Sequence, residues 1–294
     1  MLKLKRYIAV VALVVCATIA KADNLWIIGE ALPYGWNLDQ ATALLSKPGD
    51  ETIFTGTVYL TADKEFKFMT YPEWGSKEYG GAPDATMIEG EIMLTAGSND
   101  EGYLKLKVAE SGNYFIKVDT VNLVATFEKS PYQDKEIKLA SLYMVGSATL
   151  NNWDVMNGMP LYQNYDSPFL FGSEKAQLKE GTFKIATTLK GANSWNGDYW
   201  YFRNAEDDKK IALNQEGDLQ WSISEDGSYT IAVNIEAESI DISKYTTTGI
   251  ENLLDDDTTN ETTYYTLTGV KVDNPQTGIF IKKIGSEVTK IFIK

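Results

Sequence analysis

Two stretches of this sequence decide its fold, because the second repeats the first 117 positions later. Residues 25–31 read LWIIGEA and residues 35–37 read GWN. Residues 142–148 read LYMVGSA and residues 152–154 read NWD. The glycine and the tryptophan of the first stretch are both matched at this single offset, which indicates an internal duplication.

The two copies stay in step further along the chain. The EFKF at residues 65–68 matches the TFKI at residues 182–185, again 117 positions apart. The SGNYFI at residues 111–116 matches the DGSYTI at residues 226–231 at an offset of 115. A unit of this length is a globular domain rather than a solenoid repeat, so we predict two tandem domains.

Each copy is rich in short runs typical of β-strands. Residues 104–108, LKLKV, alternate between apolar and polar side chains, as a half-buried strand does. About seven strands in about 105 residues favour an immunoglobulin-like β-sandwich. We therefore predict an all-β fold with two tandem sandwiches and a small C-terminal β-unit. The predicted strands are 25–29, 52–60, 64–70, 90–95, 103–108, 113–119 and 122–128 in the first copy, and 142–146, 168–178, 182–188, 198–203, 219–223, 228–234 and 238–243 in the second.

The composition excludes several classes of function. The 294 residues include 27 Lys and Arg, 41 Asp and Glu and no His, which gives a net charge of −14. Without His, a Ser-His-Asp or Cys-His nucleophile and a His-ligated metal are excluded. The negative charge disfavours a nucleic-acid partner, which would need clustered positive charge. We expect no cofactor and no metal.

The first 22 residues have the features of an export signal. A basic segment at residues 3–6 precedes an apolar run at 7–16, and the AKA at residues 20–22 fits a cleavage site. We expect cleavage after Ala22, with a retained N-terminal anchor helix as the alternative and no transmembrane span in the mature chain. Cys16 follows Val15 rather than a small residue, which disfavours lipid attachment. The predicted organisation is a signal peptide at 1–22, domains at 23–130 and 139–245 joined by a short polar linker, and an acidic linker with a β-tail at 246–294.

Aromatic residues in polar loops are the candidate binding residues. Trp36 and Trp153 follow the first strand of each copy, and Trp74 and Trp195 lie in loops rich in Gly, Asn, Asp and Glu. A sugar ring stacks its C–H face on an aromatic ring, while its hydroxyl groups hydrogen-bond to amides, carboxylates and ammonium groups. The alternative is that Trp36 and Trp153 close the ends of the sandwiches as apolar plugs.

This twice-repeated series of motifs resembles the SusE/SusF family, the outer-membrane starch-binding proteins of bacterial starch-utilisation systems. The resemblance covers residues 24–129 and 141–245. It implies immunoglobulin-like carbohydrate-binding modules at the surface of a Gram-negative bacterium. They would bind α-glucan without catalysis, with outer-membrane glycan-uptake components as partners. The implied binding residues are Trp36, Lys67, Trp74 and Tyr79 in the first site, and Trp153, Lys184, Trp195 and Tyr199 in the second.

The tail differs from both copies. An acidic stretch at residues 251–261 is typical of a solvated linker. Four short runs follow, and with the closing KIFIK at residues 290–294 they resemble a C-terminal sorting domain of type IX secretion. The alternative is a small capping β-unit, which is marginal alone unless it packs on a neighbour. The predicted tail strands are 262–267, 269–272, 278–282 and 288–293.

Three classes of function remain open. The leading one is non-catalytic binding of a polysaccharide, preferably a starch-like α-glucan, by a surface or secreted protein with two weak sites acting together on a polymer. The second is a structural or adhesion protein of the cell surface whose loops contact other proteins. A glycoside hydrolase with two catalytic carboxylates is least favoured, because two sandwiches of this size offer no deep cleft.

Overall fold

The computed structural model describes residues 24–47, 50–81, 86–88, 90–97, 105–214, 216–245, 262–265, 271–272, 275, 278–284 and 287–293. The chain forms two compact units, the first ending at Ile242 and the second beginning at Ser243. Both copies of the duplication lie in the first unit and are called the first and second repeats below. The predicted signal peptide, with Cys16, and the predicted acidic linker lie outside the described residues.

The first repeat is a mostly antiparallel sheet in which eleven strands are described. The central strands lie in the order β4-β1-β2-β3-β10-β11. A 3₁₀ turn at Leu38–Gln40 precedes β2. The strands are β1 Asn24–Gly29, β2 Thr42–Lys47, β3 Asp50–Leu60, β4 Phe66–Met69, β5 Glu78–Gly80, β6 Thr86–Ile88, β7 Glu91–Met93, β8 Thr95–Gly97, β9 Leu106–Val108, β10 Gly112–Asp119 and β11 Val124–Lys129.

The second repeat forms a sheet in which nine strands are described, with the equivalent central order β15-β12-β13-β14-β19-β20. Its 3₁₀ turns lie at Val155–Asn157 and Gly197–Tyr199, and its one described α-helix is α1, Leu189–Ala192. The strands are β12 Ser141–Val145, β13 Met159–Gln163, β14 Leu170–Leu178, β15 Gly181–Ala186, β16 Trp200–Arg203, β17 Ile211–Leu213, β18 Trp221–Ile223, β19 Gly227–Asn234 and β20 Ser239–Lys244.

Each sheet folds over so that distant strands close on one core. In the first repeat the rings of Phe66 and Phe68, on β4, lie 5.9 and 6.4 Å from the ring of Phe127 on β11, although β11 is five strands away in hydrogen-bonding order. In the second repeat Phe183 on β15 and Ile231 on β19 belong to one core, although β19 is four strands away from β15 in hydrogen-bonding order. The predicted all-β sandwich fold is confirmed.

The two stretches that decide the fold share a glycine, which is required there for steric reasons. Gly29 ends β1 with φ +153°, and a Cβ there would lie 2.3 Å from the carbonyl oxygen of Glu65. Gly146 ends β12 with φ +159°, and a Cβ there would lie 2.2 Å from the carbonyl oxygen of Thr182. Only glycine allows the backbone to approach this closely, so both repeats need it at this position.

A third apolar cluster, the central cluster, joins the two repeats. The two repeats contribute the same face of their first strand to it. Trp26 and Ile28 lie on that face of β1, and Tyr143 and Val145 lie at the equivalent positions of β12. Strands β1 and β12 are therefore buried on both faces, which explains why their sequences lack polar alternation. The fully buried members are Trp26, Ile28, Ala41, Ala43, Leu45, Met69, Tyr143, Val145, Val155, Ala186, Leu189, Ala192, Trp200 and Phe202.

The segment between the repeats is held by hydrogen bonds, although its sequence looks like a polar linker. The side chain of Asn113 is fully buried, donates to the carbonyl of Lys135 at 2.7 Å and accepts from the amide of Ile137 at 2.9 Å. Gln163 of the second repeat accepts from the amide of Thr57 in the first at 2.6 Å and donates to its carbonyl at 3.1 Å. The two repeats consequently pack as one compact unit.

Strands β2 and β13 lie outside the predicted strands, and they occur at equivalent positions. In β2, Leu44 enters the core of the first repeat while Ala43 and Leu45 enter the central cluster, so no alternation marks the strand. In β13, Pro160 argues against a strand. It is accommodated because β14 pairs with β13 only at Tyr162 and Gln163.

The second unit is described as a four-stranded sheet in the order β22-β21-β23-β24. Its described strands lie within or close to the predicted runs, and residues 266–270 of the first two runs lie outside the described residues. No helix in the described part of either unit is long and apolar enough to cross a membrane. The strands are β21 Thr262–Tyr265, β22 Lys271–Val272, β23 Gly278–Ile284 and β24 Glu287–Ile293.

Candidate functional site

Lys67 is the centre of an aromatic cluster in the first repeat. It lies between Phe66 and Phe68, which enter the core, so its side chain leaves β4 on the opposite face. Its Nζ lies 5.8 Å from the ring centroid of Trp36 and 5.3 Å from that of Trp74. The two indole rings are 6.4 Å apart and tilted by 44°. A cation at these distances is attracted to the faces of both rings.

Two further charges complete this cluster. Glu78 on β5 places Oε1 2.6 Å from the Nζ of Lys67, and both side chains are almost fully buried. Lys105 places its Nζ 5.7 Å from the ring of Trp36, and its hydrogen bond to Glu65 lowers the pKa of that carboxyl. The first cluster is therefore Trp36, Lys67, Trp74, Glu78 and Lys105.

The second repeat builds the same arrangement around Lys184. Its Nζ lies 5.8 Å from the ring of Trp153 and 5.3 Å from the ring of Trp195. These two rings are 6.1 Å apart and tilted by 52°. The distances and tilt match those of the first cluster closely, although the loops that carry Trp74 and Trp195 differ in sequence and in length.

Additional rings surround Lys184. Its Nζ lies 4.7 Å from the ring of Trp200 and 5.1 Å from that of Phe202. Trp195 stacks on Trp200 with centroids 5.4 Å apart and planes within 13°. The carboxylate of Asp218 lies 2.6 Å from the Nζ, but its side chain is 62% exposed. The second cluster is Trp153, Lys184, Trp195, Trp200, Phe202 and Asp218.

The tryptophans of each cluster differ in exposure. Trp74 and Trp195 are 49% and 51% exposed, so each offers a large part of its indole to solvent. Trp36 and Trp153 are half-buried and pack against the central cluster. Trp36 and Trp153 thus have the packing expected of a plug and also line the two aromatic clusters.

The structure does not bring the two tyrosines of the expected site residues into these clusters. Tyr79 is 5% exposed and packs in the core of the first repeat. Tyr199 packs against the central cluster and against Gly191. The strand register also shows that Tyr201, opposite Ile185, is the equivalent of Tyr79, opposite Phe68. Tyr199 therefore does not correspond to Tyr79.

Several cluster residues are missing from the sequence-based set. Glu78 and Trp200 occupy equivalent positions, opposite Met69 and Ala186 in their ladders. EYG at residues 78–80 and WYF at residues 200–202 share only the central tyrosine, so the sequence alone does not mark this equivalence. Asp218 and Lys105 come from loops that approach the clusters only through folding, and no local pattern marks them.

The two clusters contain the same kinds of chemical group. Each offers an exposed indole face beside an ammonium group and a carboxylate. Among the described residues no group of three or more Asp, Glu, Cys or His could hold a metal ion. A separate cavity of about 560 Å³ opens beside Tyr71 and is lined by residues of β1 and β3 and by Met156 and Asn157 of the second repeat.

Comparison with known proteins supplies no argument about the fold or the site of this chain. No family model and no curated protein matches the chain. Among solved structures it is similar to SusF from Bacteroides thetaiotaomicron, with 21% identity and a TM-score of 0.29, over 76% of this chain. The chain spans about half the length of that SusF chain, 48% of it. A TM-score this low carries no argument about the site, so the functional case rests on the clusters themselves.

Proposed function

We propose that this protein binds polysaccharide without chemical change, through the first and second clusters. The observation that carries the proposal is the duplication of one geometry. Two tilted indoles about a buried lysine occur at equivalent positions of both repeats, with ring separations of 6.4 and 6.1 Å. Core packing alone would not require a half-exposed tryptophan at the same place in each repeat.

Each residue has a role in this proposal. Trp74 and Trp195 stack on sugar rings through their exposed faces, and Trp36 and Trp153 form the second, tilted wall. Lys67 and Lys184 supply charge and hydrogen-bond donors at the base of each site. The preferred ligand is a starch-like α-glucan, on which two weak sites gain from effective concentration, by up to about 10²–10⁴ over one site. Tyr79 and Tyr199 have no role in the proposed sites, because they pack outside the two clusters.

The proposed location of the protein rests on the sequences of its two terminal segments. We propose that the chain is exported through residues 1–22 and acts at the cell surface of a Gram-negative bacterium or as a secreted protein. The tail would act as the sorting unit, and components of glycan uptake would be the partners.

The test is affinity electrophoresis of the chain from Asp23 onward in native gels that contain amylopectin, dextran or xylan. Wild-type protein is expected to be retarded by amylopectin. Trp74→Ala or Trp195→Ala alone should weaken retardation at least about ten-fold, and the double variant should abolish it. These positions are better probes than Trp36 and Trp153, whose removal would also open the central cluster.

Tyr165→Ala is the matched control, because Tyr165 is 58% exposed and belongs to neither cluster. Retardation by another polysaccharide would keep the sites and change the ligand. Retardation that survives the double variant would move binding to the cavity beside Tyr71. No retardation in any gel would favour a structural or adhesion protein with protein partners.

A further inference from the structure

The loop that carries Trp74, residues 70–77, is anchored by a residue of the other repeat. Within the loop the amide of Thr70 donates to the carbonyl of Lys77 at 2.9 Å, and Ser76 Oγ donates to the carbonyl of Tyr71 at 2.8 Å. One bond to the loop comes from the other repeat: Lys190 Nζ, on α1, donates to the carbonyl of Pro72 at 2.7 Å. Pro72 is buried and lies two positions before Trp74.

A reciprocal contact holds the segment that leads to Trp195. Thr188 Oγ1, at the start of α1, donates to the carbonyl of Asp39 at 2.6 Å. Asp39 lies in the turn just after Trp36. A Cβ on Gly191 would lie 2.4 Å from the same carbonyl, so α1 packs directly on the first repeat. The amide of Trp195 then donates to the carbonyl of Ala192, the last residue of α1, at 2.9 Å.

We propose that Lys190 of the second repeat is a positioning residue of the first cluster. It fixes the loop that presents Trp74, so the first binding site is incomplete without the second repeat. Helix α1 contacts the loop that carries Trp74 and also leads to Trp195. This shared support, called the brace below, holds the two sites at one fixed spacing. That arrangement suits a long polymeric glycan rather than a short oligosaccharide. The inference rests on the proposed function for its ligand, but not for the brace itself.

The brace is tested without ligand by hydrogen exchange of the loop at residues 70–77 in the full chain. Lys190→Met removes the donor, and the loop amides should exchange about ten-fold faster. Lys190→Arg keeps a donor of similar reach and should restore protection. Lys179→Met, at an exposed lysine of the same repeat, is the control and should leave the loop unchanged.

Binding is tested in two backgrounds. In Trp195→Ala protein, which keeps only the first cluster, Lys190→Met should weaken amylopectin retardation by about three- to ten-fold and Lys190→Arg should not. In Trp74→Ala protein the same substitution should have a smaller effect. An equal or larger effect there, or unchanged exchange of residues 70–77, would overturn the proposal. If wild-type protein binds no polysaccharide, the proposed function fails while the exchange data still decide the brace.

Discussion

The two repeats place the same buried lysine in two different environments. Lys67 pairs with the buried Glu78, whereas the position of Glu78 in the ladder is taken in the second repeat by Trp200. The ammonium of Lys184 instead lies among four aromatic rings, and its carboxylate partner Asp218 is largely exposed. Duplication has thus kept the cation and its two tilted indoles while the counter-charge changed.

The difference has an energetic consequence. A buried ion pair needs both members, because removing one leaves an uncompensated charge. A ring cage attracts the cation through several weaker contacts. The cage also has a cost, since the indole N–H of the fully buried Trp200 finds no hydrogen-bond partner among the described residues. Removing the buried carboxylate of the first cluster should therefore cost more stability than removing the exposed carboxylate of the second.

The largest expected effect separates the two counter-charges. Glu78→Gln should lower the free energy of unfolding at neutral pH by about 3–5 kcal/mol, because it removes the buried carboxylate that pairs with the buried ammonium of Lys67. Asp218→Asn should lower the free energy of unfolding by at most about 1 kcal/mol, because that carboxylate is exposed. Urea unfolding of both variants measures the difference. Equal losses would show that burial of the carboxylate does not distinguish the repeats.

A second comparison concerns the central cluster, where Trp26 and Tyr143 are equivalent. Burial raises the pKa of the Tyr143 phenol above its usual value of 10.0, and the hydroxyl donates to Asn24 Oδ1 at 2.7 Å. Above pH 10 the unfolded chain releases this proton and the folded chain keeps it. Stability present below pH 10 is therefore lost as the pH rises toward the folded pKa, by about 1.4 kcal/mol per pH unit. The tryptophan of the first repeat cannot ionise in this range.

Tyr143→Phe tests this assignment by urea unfolding at pH 8, 10 and 11. The variant should be less stable by about 1 kcal/mol at pH 8, where it lacks the hydrogen bond, and should lose less stability than wild type between pH 10 and 11. The variant should still lose some stability between pH 10 and 11, because burial also raises the pKa of Tyr201 to about 12. Parallel curves for wild type and variant would assign the alkaline loss to other tyrosines.

Much of the architecture could be predicted from the sequence because the duplication supplies each anchor twice. Gly29, Trp36 and Phe66 recur at one offset, and strands with ordinary alternation are easily recognised. Strands β2 and β13 could not be predicted, because the packing of one repeat on the other removes their polar face. The sequence also suggests a linker at residues 130–138, where burial of the Asn113 side chain holds the segment in place.

Two kinds of signal in the sequence mark the residues of the clusters. Trp74 and Trp195 do not share the 117-residue offset and are marked only by their loops, which are rich in Gly and polar residues. Trp36 with Lys67 and Trp153 with Lys184 share the 117-residue offset, and the structure brings each pair together. Glu78 and Trp200 could not be matched from sequence alone, because one position holds a carboxylate in the first repeat and an indole in the second. The strand register reveals that equivalence, and it shows that Tyr201 rather than Tyr199 corresponds to Tyr79.

The smallest expected effect concerns backbone strain beside the exposed tryptophans. In the second loop the positive φ falls on Trp195 itself, at +59°, whereas in the first it falls on Gly75, at +91°. A left-handed conformation costs a non-glycine residue about 1–2 kcal/mol. Trp195→Gly should therefore be more stable than Trp195→Ala by about 0.5–1 kcal/mol, while Trp74→Gly should be less stable than Trp74→Ala.

Thermal unfolding of the four variants measures both differences, with the alanine variant at each position as the reference for its own glycine variant. The stack of Trp195 on Trp200 contributes about 0.5–1.5 kcal/mol. Both Trp195 variants lose it, so it does not affect the difference in stability between them. An alanine variant that is more stable than the glycine variant at both positions would show that the Trp195 backbone is unstrained. Opposite signs would show that the second repeat tolerates strain to present its indole, as strained residues at functional sites do. The first repeat would then present the same ring through a neighbouring glycine.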